Sequence, residues 1–166
     1  VHAGRIESTG RGTGAMSYGA YVTGTHALTV DLDEIVSGAA LEAFGLYVDA
    51  GNDLSARAGD VAAIAEGAGS AAGNAVGMLV DAGERVRVDV GRVQAVAPGG
   101  SGQASGLQAV AAGALSVNAG AIDVQAGESA WGIQADSGRE LTLDLGSVKV
   151  DADRFAYGVL AGGATS

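Results

Sequence analysis

The sequence predicts an all-β chain: a right-handed, three-sided parallel β-helix (a solenoid) of about five to six rungs on a 26-residue core repeat. Three observations predict it. A Gly-centred motif recurs along the whole chain. Three short apolar runs follow it in fixed register. Residues suited to tight turns separate those runs.

The motif comes first. SYGAYV, AFGLYV, AVGMLV, ASGLQA, AWGIQA and AYGVLA each place an aromatic or small residue before Gly and an apolar residue after it. The glycines are Gly19, Gly45, Gly77, Gly106, Gly132 and Gly158, spaced by 26, 32, 29, 26 and 26 residues. The unit is therefore 26, with two insertions, at about 66–74 and 98–103. Both fall in the turn after the third run. Both are rich in Gly, Ala and Ser, which reads as loop rather than recognition surface.

The runs come second. Nine residues after each of the first five glycines stands Leu28, Leu54, Val86, Leu115 or Leu141. Sixteen after stands Ile35, Val61, Val93, Ile122 or Val148. Each run alternates with period two, the strand period. A run of about five residues between turns leaves no room for a helix. One such coil cannot bury its apolar side, but coils stacked at roughly 4.8 Å share a continuous core. A left-handed β-helix, with hexapeptide repeats and a unit near 18, does not fit the spacing.

Parity then sorts the faces. The residues one and three after each Gly point inward, as in Leu46 and Val48 or Ile133 and Ala135. The residue before Gly shares their parity, so Tyr18, Phe44, Val76, Ser105, Trp131 and Tyr157 are expected at a corner of the core. Residues two after Gly point outward: Tyr21, Tyr47, Leu79, Gln108, Gln134 and Leu160. Stacked rungs turn such columns into ladders. Tyr21, Tyr47 and Leu79 make an exposed aromatic and apolar strip beside a flat glycine channel, and they are the candidate binding residues.

Two acidic columns invite a metal reading. Asp31, Arg57, Asp89, Asn118 and Asp144 alternate so that no two acids adjoin, which reads as a ladder avoiding like-charge repulsion. In Thr23, Asp49, Asp81, Val110 and Asp136, Asp49 and Asp81 are neighbours. They are weak candidates for a cation, since calcium takes clustered oxygens. A solvated pair is the expectation, and no cofactor is expected. Asp123 and Lys149 are expected to pair across rungs on the third-run outer face.

Composition excludes several classes. Ala (34) and Gly (29) make up over a third of the 166 residues, and the formal net charge is −10. With no Cys, a disulfide-stapled domain and a four-Cys zinc module are excluded. The negative charge disfavours nucleic acid. A hydrophobic content of 48% against 17% charged suffices for a core and disfavours disorder. No apolar run approaches the roughly 20 residues that span a bilayer, so no membrane insertion is expected.

Catalytic constellations are not legible. Glycosidase chemistry needs two carboxylates about 5–9.5 Å apart beside a groove. The outer faces offer mainly Gly, Tyr, Gln and the column Thr29, Ser55, Arg87, Ser116 and Thr142. A serine triad needs a positioned His, whereas His2 and His26 fall at the start and in a turn. A non-enzyme is expected. The alternative is a carbohydrate-active β-helix, a polysaccharide lyase or a tailspike-like depolymerase.

The pattern A-[aromatic]-G-[VIL]-x-[VA], then L-T-[LV]-x-x-G-x-[VI]-x-[VA], resembles the β-helical passenger repeats of autotransporters, the type V secreted surface proteins of Gram-negative bacteria. Its clearest copy is Ala130-Trp131-Gly132-Ile133-Gln134-Ala135 with Leu141-Thr142-Leu143-Asp144-Leu145-Gly146-Ser147-Val148. The resemblance covers essentially the whole chain. It implies a stalk or adhesin surface for attachment or aggregation, located outside the cell and associated with virulence, with a surface glycan or protein as partner. It supplies no active-site residue. The chain opens in the last third of a rung, so residues 1–166 are expected to be one segment of a longer solenoid. Its open ends are expected to allow self-association.

Overall fold

The computed structural model describes residues 1–12, 14–67 and 72–163. Among them there is no helix, hence none long and apolar enough to cross a membrane. Twelve strands alternate in two lengths. The short ones are β2 (Met16–Gly24), β4 (Glu42–Ala50), β6 (Asn74–Ala82), β8 (Gln103–Ala111), β10 (Ser129–Ser137) and β12 (Phe155–Gly163). The long ones are β3 (Leu28–Ala39), β5 (Leu54–Ala65), β7 (Val86–Ala97), β9 (Leu115–Ala126) and β11 (Leu141–Ala152), with β1 (His2–Thr9) a shorter first member. Each set forms one six-stranded parallel sheet, in the orders β2-β4-β6-β8-β10-β12 and β1-β3-β5-β7-β9-β11. The result is a parallel β-solenoid of about six turns.

The register follows the repeat. Leu46 lies beside Ala20 and Met78, and Val61 beside Ile35 and Val93. The core between the sheets is aliphatic apart from Met78 and a few buried serines such as Ser37, and holds no aromatic ring. Ile35, Leu46, Met78, Leu107, Ile122 and Ile133 are among its largest fully buried side chains. Small and branched residues suffice because each turn encloses little volume, and stacking extends that volume along the axis.

Two details differ from the sequence expectation. The second and third apolar runs are not separate strands. They run on as one 12-residue strand in which the alternation slips once. In β5, Leu54, Ala56 and Ala58 face inward, then Val61, Ala63 and Ala65, so Gly59 and Asp60 both face outward. Two consecutive outward residues are what a convex corner requires. Gly59, Gly91, Gly120 and Gly146 stack there. A Cβ on Gly91 would lie 2.7 Å from the Gly59 carbonyl oxygen, and one on Gly120 2.5 Å from that of Gly91.

The opposite slip occurs in the short strands. In β4, Ala43, Gly45, Leu46, Val48 and Ala50 are buried, so Gly45 and Leu46 both face inward. This overturns the expectation for the residue before Gly. Tyr18, Phe44, Trp131 and Tyr157 lie on the outer face, not at a core corner, because the glycine shifts the phase by one residue. No side chain fits at the first five motif glycines. A Cβ on Gly19 would lie 2.5 Å from the Gly45 carbonyl oxygen.

The connections explain the uneven spacing. The shortest long-to-short links have two residues, such as Gly127 and Glu128 between β9 and β10. Eight residues separate β5 from β6, and five separate β7 from β8, which accounts for the spacings of 32 and 29. Of the first insertion, residues 68–71 lie outside the described residues. The link from β1 to β2 is also long, which the glycine spacing alone does not reveal.

Candidate binding surface

The chain has one Trp, four Tyr and two Phe. All seven lie in the short-strand sheet, and none is buried. They form two groups, separated along the axis by β6 and β8.

The first group is built on β2 and β4. Register places Tyr21 beside Tyr47, and Tyr47 beside Leu79. The two tyrosine rings stack at 4.7 Å with 12° between their planes. Tyr18 stacks on Phe44 at 4.8 Å and meets Tyr21 edge-on at 5.5 Å. Tyr21 is 59% exposed, while Tyr47 and Leu79 are half-buried. The structure thus brings the predicted strip together and adds Tyr18 and Phe44 to it. Tyr47 lies between Tyr21 and Leu79 in register, so neighbours cover its faces, while Tyr21 gives one face to Tyr47 and stays more than half exposed.

Asp49 and Asp81 flank the strip, adjacent in register and exposed. Among the described residues, no three His, Cys, Asp or Glu side chains gather as a metal-binding set. Burial pushes the Tyr47 phenol above its ordinary value, with smaller contributions from Asp49, Tyr21, Asp81 and Tyr18. A carboxylate beside a phenol disfavours its ionisation.

The second group is Trp131 on β10 with Phe155 and Tyr157 on β12, the Trp131 and Tyr157 rings lying parallel at 6.1 Å. Between the groups, the column before Gly continues through Val76 and Ser105. Replacing rings with small residues there opens a recess of about 240 Å³, walled by Phe44 and Trp131. Asn74, Gln103 and Gln108 line it too. The Ser105 side-chain oxygen has no hydrogen-bond partner although the residue is only 4% exposed. Sequence reasoning missed this feature by assigning the column to the core.

A further groove follows the long-strand sheet. It is lined by Thr29, Ser55, Arg87, Ser116 and Thr142, with Asp53 and Glu140 at its side. Arg85 holds Asp53 through two hydrogen bonds, Nε to Oδ1 at 3.2 Å and Nη2 to Oδ2 at 3.1 Å. That hydrogen bond, with the charge of Asp53, raises the Arg85 pKa further above its ordinary range.

Four of the five members of the first charged column make side-chain contacts on the strand faces. Arg57 reaches Asp89 at 3.7 Å, Asn118 Nδ2 donates to Asp89 at 3.2 Å, and His2 lies 3.3 Å from Asp31. Asp123 meets Arg92 at 3.9 Å instead of the expected Lys149, although Lys149 is its register neighbour. These exposed pairs contribute little, about 0–1 kcal/mol each.

Comparison with known proteins finds no matching family model, no matching curated protein and no matching solved structure.

Proposed function

We propose that the chain is a non-catalytic length of a secreted bacterial surface protein of the autotransporter passenger kind. It acts as a stalk with an adhesive side, outside the cell, in attachment or aggregation. The observation that supports this most is the segregation of aromatic residues. Every aromatic side chain lies on one sheet and none in the core, so rings are not needed to fill the interior. Aromatic residues are enriched where proteins meet partners. The Tyr21, Tyr47 and Leu79 strip is the adhesive site in this reading, and a surface protein or glycan is its partner.

The test is attachment. The chain is immobilised and offered bacterial and host surface proteins and polysaccharides, and retention and chain cleavage are scored together. Tyr21→Ala with Tyr47→Ala should abolish retention while the β circular dichroism signal persists. Unchanged retention of every target would remove the strip from the reading.

One observation favours the second reading, a carbohydrate-active β-helix. A row of hydroxyls lines the long-strand groove beside Glu140; Asp53 lies three register steps from Glu140, about 14 Å at roughly 4.8 Å per step, so Glu140 would have to act without it as a paired carboxylate. Its expected signature is release of new reducing ends, lost in Glu140→Gln.

Self-association through the solenoid ends is a further part of this proposal. Among the described residues, the first and last turns carry eight of the nine exposed large hydrophobics: Val1, Met16, Tyr18 and Tyr21 on one, Phe155, Tyr157, Val159 and Leu160 on the other. Continuing the register by one turn into a second copy sets Met16 on Phe155, Tyr18 on Tyr157, Tyr21 on Leu160 and Glu7 on Lys149. Such head-to-tail contact does not close, so it builds filaments.

A further inference from the structure

We infer that the recess between Phe44 and Trp131 is a binding site for an uncharged glycan, distinct from the tyrosine strip and independent of it. Three features of the recess support this. The first is its walls. Phe44 carries Tyr18 on one face, and Trp131 carries Tyr157 on one face. Their other sides are turned toward the much smaller Val76 and Ser105. Three register steps separate the walls, about 14 Å at roughly 4.8 Å per step. A pyranose ring at van der Waals contact, about 4 Å, with either wall fits between them.

The second feature is the unpartnered hydroxyl. A buried hydroxyl without a hydrogen bond is unfavourable, and native structures keep few of them. Ser105 lines the recess, so the recess is the nearest space from which a partner for this hydroxyl can come. The third is the polar lining. Asn74 and Gln108 contribute uncharged amides that donate and accept, matching the vicinal hydroxyls of a sugar. No cationic side chain is among its lining residues, Glu42 is one of them, and the chain carries a net charge of −10. Anionic sugars are therefore repelled and neutral ones are not.

Trp131 is the only tryptophan, so its fluorescence reads this site directly. The full chain is titrated with neutral oligosaccharides (gluco-, manno-, galacto- and xylo-tetrasaccharides) and with an oligogalacturonate. A saturable change in emission with at least one neutral sugar, and none with the acidic one, is expected. No saturable change with any neutral sugar up to 10 mM, on the order of the weakest specific affinities, would overturn the proposal, as would a response to the oligogalacturonate alone.

Ser105→Ala supplies the second readout. It keeps Trp131, and it is expected to raise Kd about tenfold, the weight of one hydrogen bond. It is also expected to leave the melting temperature unchanged or higher, because the hydroxyl has no partner in the unliganded chain. A lower melting temperature would show that Ser105 serves the fold, and would overturn the assignment. The strip variants Tyr21→Ala and Tyr47→Ala should leave the Trp131 response intact, so failure of the strip and failure of the recess are distinguishable.

Discussion

Gly106 and Ile122 approach so closely across the core that a Cβ on the glycine would sit 2.6 Å from the isoleucine Cγ2. The same Cβ would lie 2.6 Å from the carbonyl oxygen of Gly132 in the next turn. The glycine is thus fixed from two directions, by its own turn and by its neighbour. Gly106→Ala should destabilise the chain by about 3 kcal/mol, at the upper end of overpacking effects. Chemical denaturation checks this. Gly158→Ala is the internal control, because no described atom lies within 4 Å of its Cβ position. It should leave monomer stability unchanged.

That control has a second use. In a head-to-tail stack, the Gly158 position would meet the Gly19 carbonyl of the next copy, as each earlier motif glycine meets its successor. Sedimentation should show a mass that rises with concentration in the unmodified chain and remains monomeric in Gly158→Ala. Salt should strengthen the association, since copies with a net charge of −10 repel one another at low ionic strength. A monomer mass at every concentration and salt level would exclude end-to-end stacking.

The tyrosine strip has a structural share as well as a proposed adhesive one. Tyr21→Ala removes a stack at 4.7 Å and an edge contact at 5.5 Å. Each such contact is worth about 0.5–1.5 kcal/mol, so a loss of about 1–3 kcal/mol is expected by thermal melting, with the fold retained. A melting temperature unchanged by the substitution would show that the stack contributes nothing to stability.

Alkaline pH isolates Tyr47. Its pKa is raised in the folded chain, chiefly by burial and then by Asp49, from the ordinary 10.0. Its contribution to stability is therefore whole below pH 10.0 and is lost as pH rises through the higher folded value. Tyr47→Phe should flatten the decline in stability above that pH and change nothing at neutral pH. Denaturation midpoints at pH 8 and about pH 11 give the comparison.

The solenoid was legible because repetition multiplies weak signals. One Gly between apolar residues means little, but six in register specify a column. What parity counting missed was the slip at Gly45–Leu46. It carried Phe44 and Trp131 to the outside and hid the recess between them. The sequence did hold a clue. Ala43, Ala75, Ala104 and Ala130, two before each Gly, are small and apolar like a core column, and they are out of phase with Leu46, Met78, Leu107 and Ile133. Both columns can face inward only if the alternation breaks between them. The same logic marks the corner after Ala58, where Gly59 reads as a turn yet lies within a strand. The orientation of Tyr21 and Tyr47 had no such trace, because ring planes depend on the stack and not on the spacing.

The in-register columns make length a quantised property. Excising the 26 residues from Gly106 to Trp131 would join Ser105 to Gly132 with every column still matched, shortening the rod by about 4.8 Å. Excising 25 or 27 would turn each following side chain to the opposite face. The molecule is thereby a ruler graduated in whole turns. Its reach can be lengthened or trimmed by copying or deleting one graduation, while the surface it displays on the remaining turns stays as it was.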